Sequence, residues 1–454
     1  VDPDAVAALG AAGPSSSAGT AGEDVLEAGA GADMHRFATE LFPLNRSLTG
    51  DGVRETLRRI GARVPELAVR EVPSGTRAFD WEVPPEWNVR EAWVEHESGE
   101  RVIDFAAHNL HLVGYSVPVD TELPLEALQP HLHSLPELPD AIPYVTSYYQ
   151  PRWGFCLRHR DRERLRPGRY RVRIDATLAP GALTYAEAVL PGREAGEILI
   201  STYVCHPSMA NNELSGPVVA AQLARWVSRL PERRFTYRFV FVPETLGAIV
   251  YLSRNLETMR ARTVAGFVLT CIGDDRGYSF LPSREGDTLA DRVARHVMGH
   301  HAPGYREYSF LERGSDERQY CAPGVDLPVA SLMRSKYHEY PEYHTSLDDL
   351  RLVTPSGLQG GYDLARRCIA ALEGNRRYRS TVLCEPQMGR RGLYPTLGTR
   401  DTRFVVRDRM NVWMHSTGTM DSLAVAERIG LPVERVVEEQ RTLAAAGVLE
   451  EVTG

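Results

Sequence analysis

The chain has 454 residues, 43% of them hydrophobic and 25% charged, with a formal net charge of −8. That length holds two to four domains at roughly 100–200 residues each, and the composition supplies a core of ordinary size. A negative balance with no sustained basic block argues against nucleic acid or an anionic membrane as the main partner, because both need a basic face.

The first stretch, residues 1–33, is rich in Ala, Gly and Ser and lacks a basic start followed by a clean apolar segment, so it reads as a disordered tail rather than a signal peptide. Helices are expected at Met34–Phe42 and Gly52–Ile60, and a strand at Leu67–Val72. From Pro73 to about Gly181 strand-like runs such as Arg101–Phe105, Leu110–Tyr115 and Arg169–Ile174 alternate with turns. The prolines between Pro118 and Pro143 are too many for a regular helix or central strand. This region reads as a mostly β insertion. From Leu183 the texture becomes α/β. Buried parallel strands are expected at Glu197–Val204, Tyr237–Val242, Ala265–Cys271 and Leu327–Leu332. Helices fall at Ser215–Leu230, Leu246–Asn255, Thr288–Met298 and Gly357–Leu372. Such alternation predicts a mostly parallel sheet covered on both faces, with functional residues beyond the carboxyl ends of its strands.

The end of the chain reads as helix-turn-helix, Ser422–Ile429 then Val433–Ala446, with Val448–Val452 as a wing. The second helix carries Glu434, Glu438 and Glu439 against Arg435 and Arg441, which would repel phosphates. A packing or dimerisation module is the expectation. The six cysteines form no CxxC pair and read as reduced core thiols of a cytoplasmic protein, and no apolar run is long enough to span a membrane. Lys336 is the only lysine in a chain that otherwise uses Arg.

Four segments follow predicted strands and carry polar clusters: Cys205–Gly216 (CHPSMANNELSG), Pro243–Gly247 (PETLG), Thr270–Asp275 (TCIGDD) and Lys336–Asp349 (KYHEYPEYHTSLDD). Two His and two Glu at one sheet edge suit a zinc ion, which takes imidazole nitrogen and carboxylate oxygen and leaves a position for water. A free carboxylate nearby then accepts the proton of that water. His131 and His133, an HxH in the insertion, read as packing residues, and Tyr148, Tyr149 and Trp153 as a cleft wall or the insertion's own core.

On the phrases HPSMANNELSGP, GSDERQY and YPEYHTSLDDL the chain resembles the co-catalytic zinc aminopeptidase family, which includes the glutamate carboxypeptidases. The order and spacing match across Asn45–Val72 and Leu183–Leu372. With its winged-helix end it is closer still to a bacterial subfamily of aminopeptidase-like proteins often encoded beside polysaccharide or antibiotic biosynthesis genes. The resemblance places His206 on the first metal His, His344 on the last, and Glu244 on the general base. Asn212 stands at the bridging Asp, Thr245 at the second ligand Glu, and Thr270 at the strand-end Asp. Two divalent ions about 3.5–4 Å apart need anionic ligands to offset their repulsion, so one zinc rather than two is expected.

Its ligands would be His206, Glu213 and His344; the competing reading leaves Glu213 as a helix-start residue favoured by the dipole and no metal at all. Catalytic roles fall to Glu244, Asp316 and Lys336. Asn212, Arg318, Arg334 and Tyr343 would contact substrate, with the cations binding a carboxylate or an oxyanion; their plain alternative is surface ion pairing. The implied organisation is a tail (1–33), a discontinuous aminopeptidase-like α/β domain (34–73 and 182–375), an inserted β-rich domain (74–181), a linker (376–402) and a winged-helix-like domain (403–454). The fold class is α/β, with a mixed, mostly parallel sheet sandwiched by helices. The main expectation is a mono-zinc hydrolase of an amide or peptide-like bond in a small molecule or biosynthetic intermediate. Its rival is a non-hydrolytic binding or assembly module on the same scaffold, and a DNA regulator is the weakest reading. No nucleic-acid or membrane partner is expected, and a homodimer is compatible with the added domains.

Overall fold

The computed structural model describes residues 29–148, 150–394 and 400–452; most of the expected tail, and Tyr149, lie outside the described residues. The central sheet has eight strands: Ala68–Pro73 (β1), Ala182–Leu190 (β2), Glu197–Tyr203 (β3), Thr236–Val242 (β4), Thr263–Leu269 (β5), Ser279–Leu281 (β6), Arg306–Glu307 (β7) and Val329–Met333 (β8). Their spatial order is β1-β2-β4-β3-β5-β8-β6-β7. The middle four, β4, β3, β5 and β8, run parallel, whereas β1 and β2 pair antiparallel with their neighbours, and β6 is antiparallel to β8 and parallel to β7. Every residue of β3 is buried, as a strand covered on both faces requires. The covering helices are Ala30–Leu41 (α1), Asp51–Gly61 (α2), Ser215–Ser228 (α3), Leu246–Arg262 (α4), Leu289–His301 (α5) and Pro355–Gly374 (α6). This is the expected mixed α/β sandwich.

Three details depart from the sequence expectations. The first helix begins at Ala30, inside the segment read as tail. Gly31 donates to Gln359 Oε1 at 2.8 Å, which ties this turn to α6. Leu110–Tyr115 is not a strand. It begins in the short turn Asn109–His111, where His108 Nδ1 accepts the Leu110 N–H and so competes with a ladder, and it keeps only isolated bridges at Leu112 and Gly114. Arg377–Ser380, read as linker, is the middle strand of a three-stranded sheet with Thr417–Asp421 and Leu449–Glu451. Four residues with only Tyr378 buried give too short an alternation to be seen in the sequence.

The insertion forms an antiparallel sheet of Arg101–Asp104, Glu86–His96, Arg169–Ala179 and Val119–Pro124, in that order. Its return segment reaches back to the central sheet. Pro143 bridges Thr345, and Tyr144 N–H donates to His344 O at 3.0 Å. At the other end, helices Arg400–His415 (α7), Ser422–Ile429 (α8) and Val433–Ala445 (α9) complete a winged helix. Helix α9 turns Val433, Val436 and Val437 inward. Val437 packs over Gly374 of α6, and Val433 N–H donates to His296 Nε2 of α5 at 2.9 Å.

The Ser-Gly pair that opens α3 shows why a glycine stands there. A Cβ on Gly216 would lie 2.3 Å from both Leu269 O and Thr202 Oγ1. Helix α3 can therefore press its first turn against the ends of β3 and β5. Gly216→Ala is expected to destabilise the protein by about 1–3 kcal/mol, the cost of overpacking. Gly277→Ala, where nothing lies within 4 Å, should change stability by less than about 0.5 kcal/mol. Denaturant unfolding of both variants measures the difference.

Candidate active site

The carboxyl ends of the parallel strands deliver His206 after β3, Glu244 after β4, and Thr270 and Cys271 after β5. Non-glycine residues with positive φ concentrate in the loops at this edge: Ser208 (45°), Thr245 (63°), Cys271 (47°) and His344 (55°). Backbone held in this region is strained and persists only where its surroundings fix it.

His206 is 4% exposed, and its two ring nitrogens face different carboxylates. Nδ1 lies 2.7 Å from Glu213 Oε2. Nε2 lies 3.6 Å from Glu244 Oε2. Glu213 sits on a wide helical turn, Ala210–Leu214, and its side chain has no exposed surface. Its other oxygen faces the equally buried Arg46 guanidinium at 3.6 Å. Arg46, between α1 and α2, also donates to His206 O at 3.0 Å and Leu41 O at 2.7 Å. The wide turn is itself fixed by Asp348, whose carboxylate accepts the N–H groups of Asn211 at 2.6 Å and Asn212 at 2.9 Å and the Tyr340 hydroxyl at 2.9 Å. Burial raises the Asp348 carboxyl to about 6, against the pull of these bonds.

The His344 ring lies 5.4 Å from that of His206, centroid to centroid, and Tyr343 stacks on it at 3.9 Å. Tyr144 of the insertion meets both histidines edge-on, at 5.3 and 5.2 Å. Burial, then the charges of His206 and His338, push the His344 imidazole down to about 2, so it is neutral. Burial opposes a charged His206, yet Cys205 and Glu213 beside it hold its imidazole well above the usual range. Glu244 keeps 19% of its side-chain surface and accepts a hydrogen bond from Ser315 Oγ at 2.9 Å. Burial raises its carboxyl, with His206, Ser315 and Arg318 pulling the other way.

The other residues singled out from the sequence divide into two groups. Asn212 Nδ2 donates to Tyr203 Oη at 2.9 Å, and the same hydroxyl lies 2.6 Å from Thr270 Oγ1. Asp316 is fully buried and accepts the Thr245 N–H at 2.7 Å, and Arg318 donates to Thr245 Oγ1. Burial first, and Glu244 next, push the Asp316 carboxyl well above its ordinary value. Asp316 thus props the backbone beside Glu244 through its Oδ1. Lys336 and Arg334 are not brought to the histidines. The Lys336 ammonium donates to Tyr337 O and lies over the Tyr308 and Tyr337 rings, while the Arg334 guanidinium covers the Tyr278 ring at 3.9 Å. Glu317 braces its loop through Gly314, Ser315, Ser331 and Tyr337. Sequence reasoning assigned no role to Arg46, Tyr144, Ser315 or Asp348. Only Ser315 and Asp348 stood inside quoted motifs.

The donor set suits one ion and not two. His344 Nε2 and Asn212 Oδ1 are buried without hydrogen-bond partners, and His206 Nε2 is turned to the same side as Glu244. These groups fit one cation. A second ion would rest on Asn212, Thr245 and Thr270, which are neutral and already engaged with Tyr203, Arg318 and one another. They do not fit it. Cys205 Sγ, His206 and Glu213 also offer ligand atoms within 4.8 Å of one another. There the Arg46 guanidinium opposes a cation, and burial raises the Cys205 thiol to about 11.

Residues 35–375 match the model of the family described as Domain of unknown function (DUF4910). The chain belongs to this family. Residues 376–451 match a winged helix-turn-helix model. A Clostridium acetobutylicum protein is 41% identical over 408 residues, 89% of this chain and 93% of its own length. It carries the provisional description of a polysaccharide biosynthesis protein with an aminopeptidase-like domain. A crystal structure from the same organism, provisionally described as a peptidase, superposes with a TM-score of 0.89 at 38% identity, covering 94% of this chain and 98% of that one. BSAP, a zinc aminopeptidase from Bacillus subtilis, shares the fold with a TM-score of 0.55 at 13% identity, over 76% of this chain and 94% of its own. The scaffold is aminopeptidase-like, with a winged helix at its carboxyl end. Among the described residues, no helix is long and apolar enough to cross a membrane.

Asp348→Ala would leave the Asn211 and Asn212 N–H groups buried and unpaired. It is expected to cost about 2–4 kcal/mol in denaturant unfolding. Asp348→Asn should cost less, since the amide oxygen can still accept one of these bonds.

Proposed function

We propose that the protein is a metal-dependent hydrolase of an amide-like bond, built around one zinc ion. The observation that carries this reading is the pair of imidazoles, 5.4 Å apart between ring centroids, with His206 Nε2 3.6 Å from Glu244 Oε2 and His344 Nε2 buried without a partner. The two histidines would hold the ion. Glu213, on the far nitrogen of His206, would act as the outer carboxylate that fixes the ring and its tautomer. This changes the role expected for Glu213 from direct ligand to support, because Arg46 already shares its charge. When bound, zinc supplies a water of lowered pKa and polarises the substrate carbonyl.

The rest of the chemistry belongs to the side chains. Glu244 takes the proton of the attacking water and returns it to the leaving nitrogen, a task suited to a carboxyl whose proton affinity burial has raised. Ser315 holds Glu244 through Oε1 and leaves Oε2 directed at His206. Tyr144 and Tyr343 close over the histidines and keep bulk water out. The substrate is a small-molecule or peptide-like amide. The winged helix serves packing rather than DNA: α9 spends its apolar face on α5 and α6 and exposes Glu434 and Glu438.

Metal analysis of the purified chain should give about one zinc per molecule, falling sharply in His206→Ala and His344→Ala. Glu244→Gln should keep its metal and lose about 100-fold or more in kcat on any amide that the wild type cleaves. Unchanged metal content in both histidine variants would contradict the site.

A further inference from the structure

Beside the histidine cluster, Arg318 makes no direct ion pair among the described residues. Arg318 lies within electrostatic reach of Glu244, Asp316 and Tyr343. Its side chain makes one hydrogen bond, from Nη2 to Thr245 Oγ1, and its Nε is buried without a partner. Among the described residues, no carboxylate oxygen lies within 4.0 Å of it. Several enclosed arginines of this chain hold carboxylates, as Arg54 binds Glu86, Arg238 binds Glu197, and Arg409 binds Glu439, and Arg334, which holds none, is covered by the Tyr278 ring. A guanidinium with its fork unfilled is matched in shape by a planar carboxylate, which takes two parallel N–H bonds.

Its neighbours strengthen the case. Thr245, held by Asp316 in a positive-φ conformation, presents a neutral hydroxyl beside Glu244. Asn212 and Thr270 likewise present neutral groups near the histidines. An ammonium placed here would meet Arg318, a like charge; of the nearby carboxylates Asp316 is buried, Glu213 is engaged by Arg46, and Glu244 is shared by Ser315, His206 and the field of Arg318.

We propose that Arg318 reads a carboxylate on the substrate next to the scissile amide, so that the site takes acidic N-acyl compounds rather than free amino termini. This rests on the hydrolase reading for the position of the scissile bond, and on Arg318 alone for the acidic group.

The test is calorimetric binding to the full-length, zinc-loaded chain. The probes are matched sets on alanine, phenylalanine and glutamate: the N-acetyl amino acid, its neutral primary amide, and the unacetylated amino acid amide. The N-acetyl carboxylate should bind at least about tenfold tighter than its amide, and the free amine weakest. In Arg318→Met the carboxylate preference should fall to within about twofold, and Arg318→Lys should keep part of it. Thermal melting establishes that each variant is folded; if Arg318→Met does not fold, the reduced preference of Arg318→Lys carries the comparison. Equal binding of carboxylate and amide by the wild type would overturn the proposal. So would tighter binding of the free amine, a preference unchanged in folded variants, or no saturable carboxylate binding up to about 10 mM. An Arg318-dependent carboxylate preference in a chain whose histidine variants lose no metal would sustain this proposal and sink the hydrolase reading.

Discussion

A carboxylate with no exposed surface is costly unless other groups answer its charge, and Glu213 is answered from both sides. One oxygen takes the Nδ1 side of His206, and the other faces Arg46. Because Nδ1 is occupied, Nε2 is the nitrogen left to face Glu244, with the His344 ring 5.4 Å away between centroids. Because Arg46 also binds the His206 carbonyl, the same cation fixes backbone and ring together. The wide turn that carries Glu213 depends in turn on Asp348, and Asp348 belongs to the same loop as His344. The two histidines are thus held in one connected network, although 138 residues of sequence separate them by number.

The sheet supplies the frame and the loops carry the strain. Four parallel strands end along one edge, and Thr245, Cys271 and His344 bend there through positive φ. The insertion completes the site. Its return segment pairs with the His344 loop at both Pro143–Thr345 and Ile142–Ser346, which puts Tyr144 against the two imidazoles. A site assembled from the main sheet alone would lack this cover.

Most of the frame was legible in the sequence, because apolar runs such as Glu197–Val204 and the helical period of Ser215–Leu230 are direct consequences of burial. His206, His344 and Glu244 were legible through their motifs. The side of the imidazole that Glu213 takes was not, since spacing places a residue near its neighbour without saying which nitrogen it reaches. Arg46 and Tyr144 were hidden for another reason: each comes from a distant segment whose approach only tertiary packing decides. Lys336 and Arg334 read as site cations by position, but aromatic rings had already claimed them. Conversely, Arg377–Ser380 was too short a strand to announce itself, and a single buried Tyr378 is its only signal.

The central claim is that His206 Nε2 and His344 Nε2 share one ion while Glu213 stays outside its shell. A crystal of the full chain soaked in zinc, with diffraction recorded at the zinc absorption edge, tests it most directly. The account predicts one anomalous peak between the two Nε2 atoms, with the Glu213–His206 Nδ1 contact intact. Two peaks at the cluster, a peak on Cys205 and Glu213, or an empty cluster under zinc would contradict it.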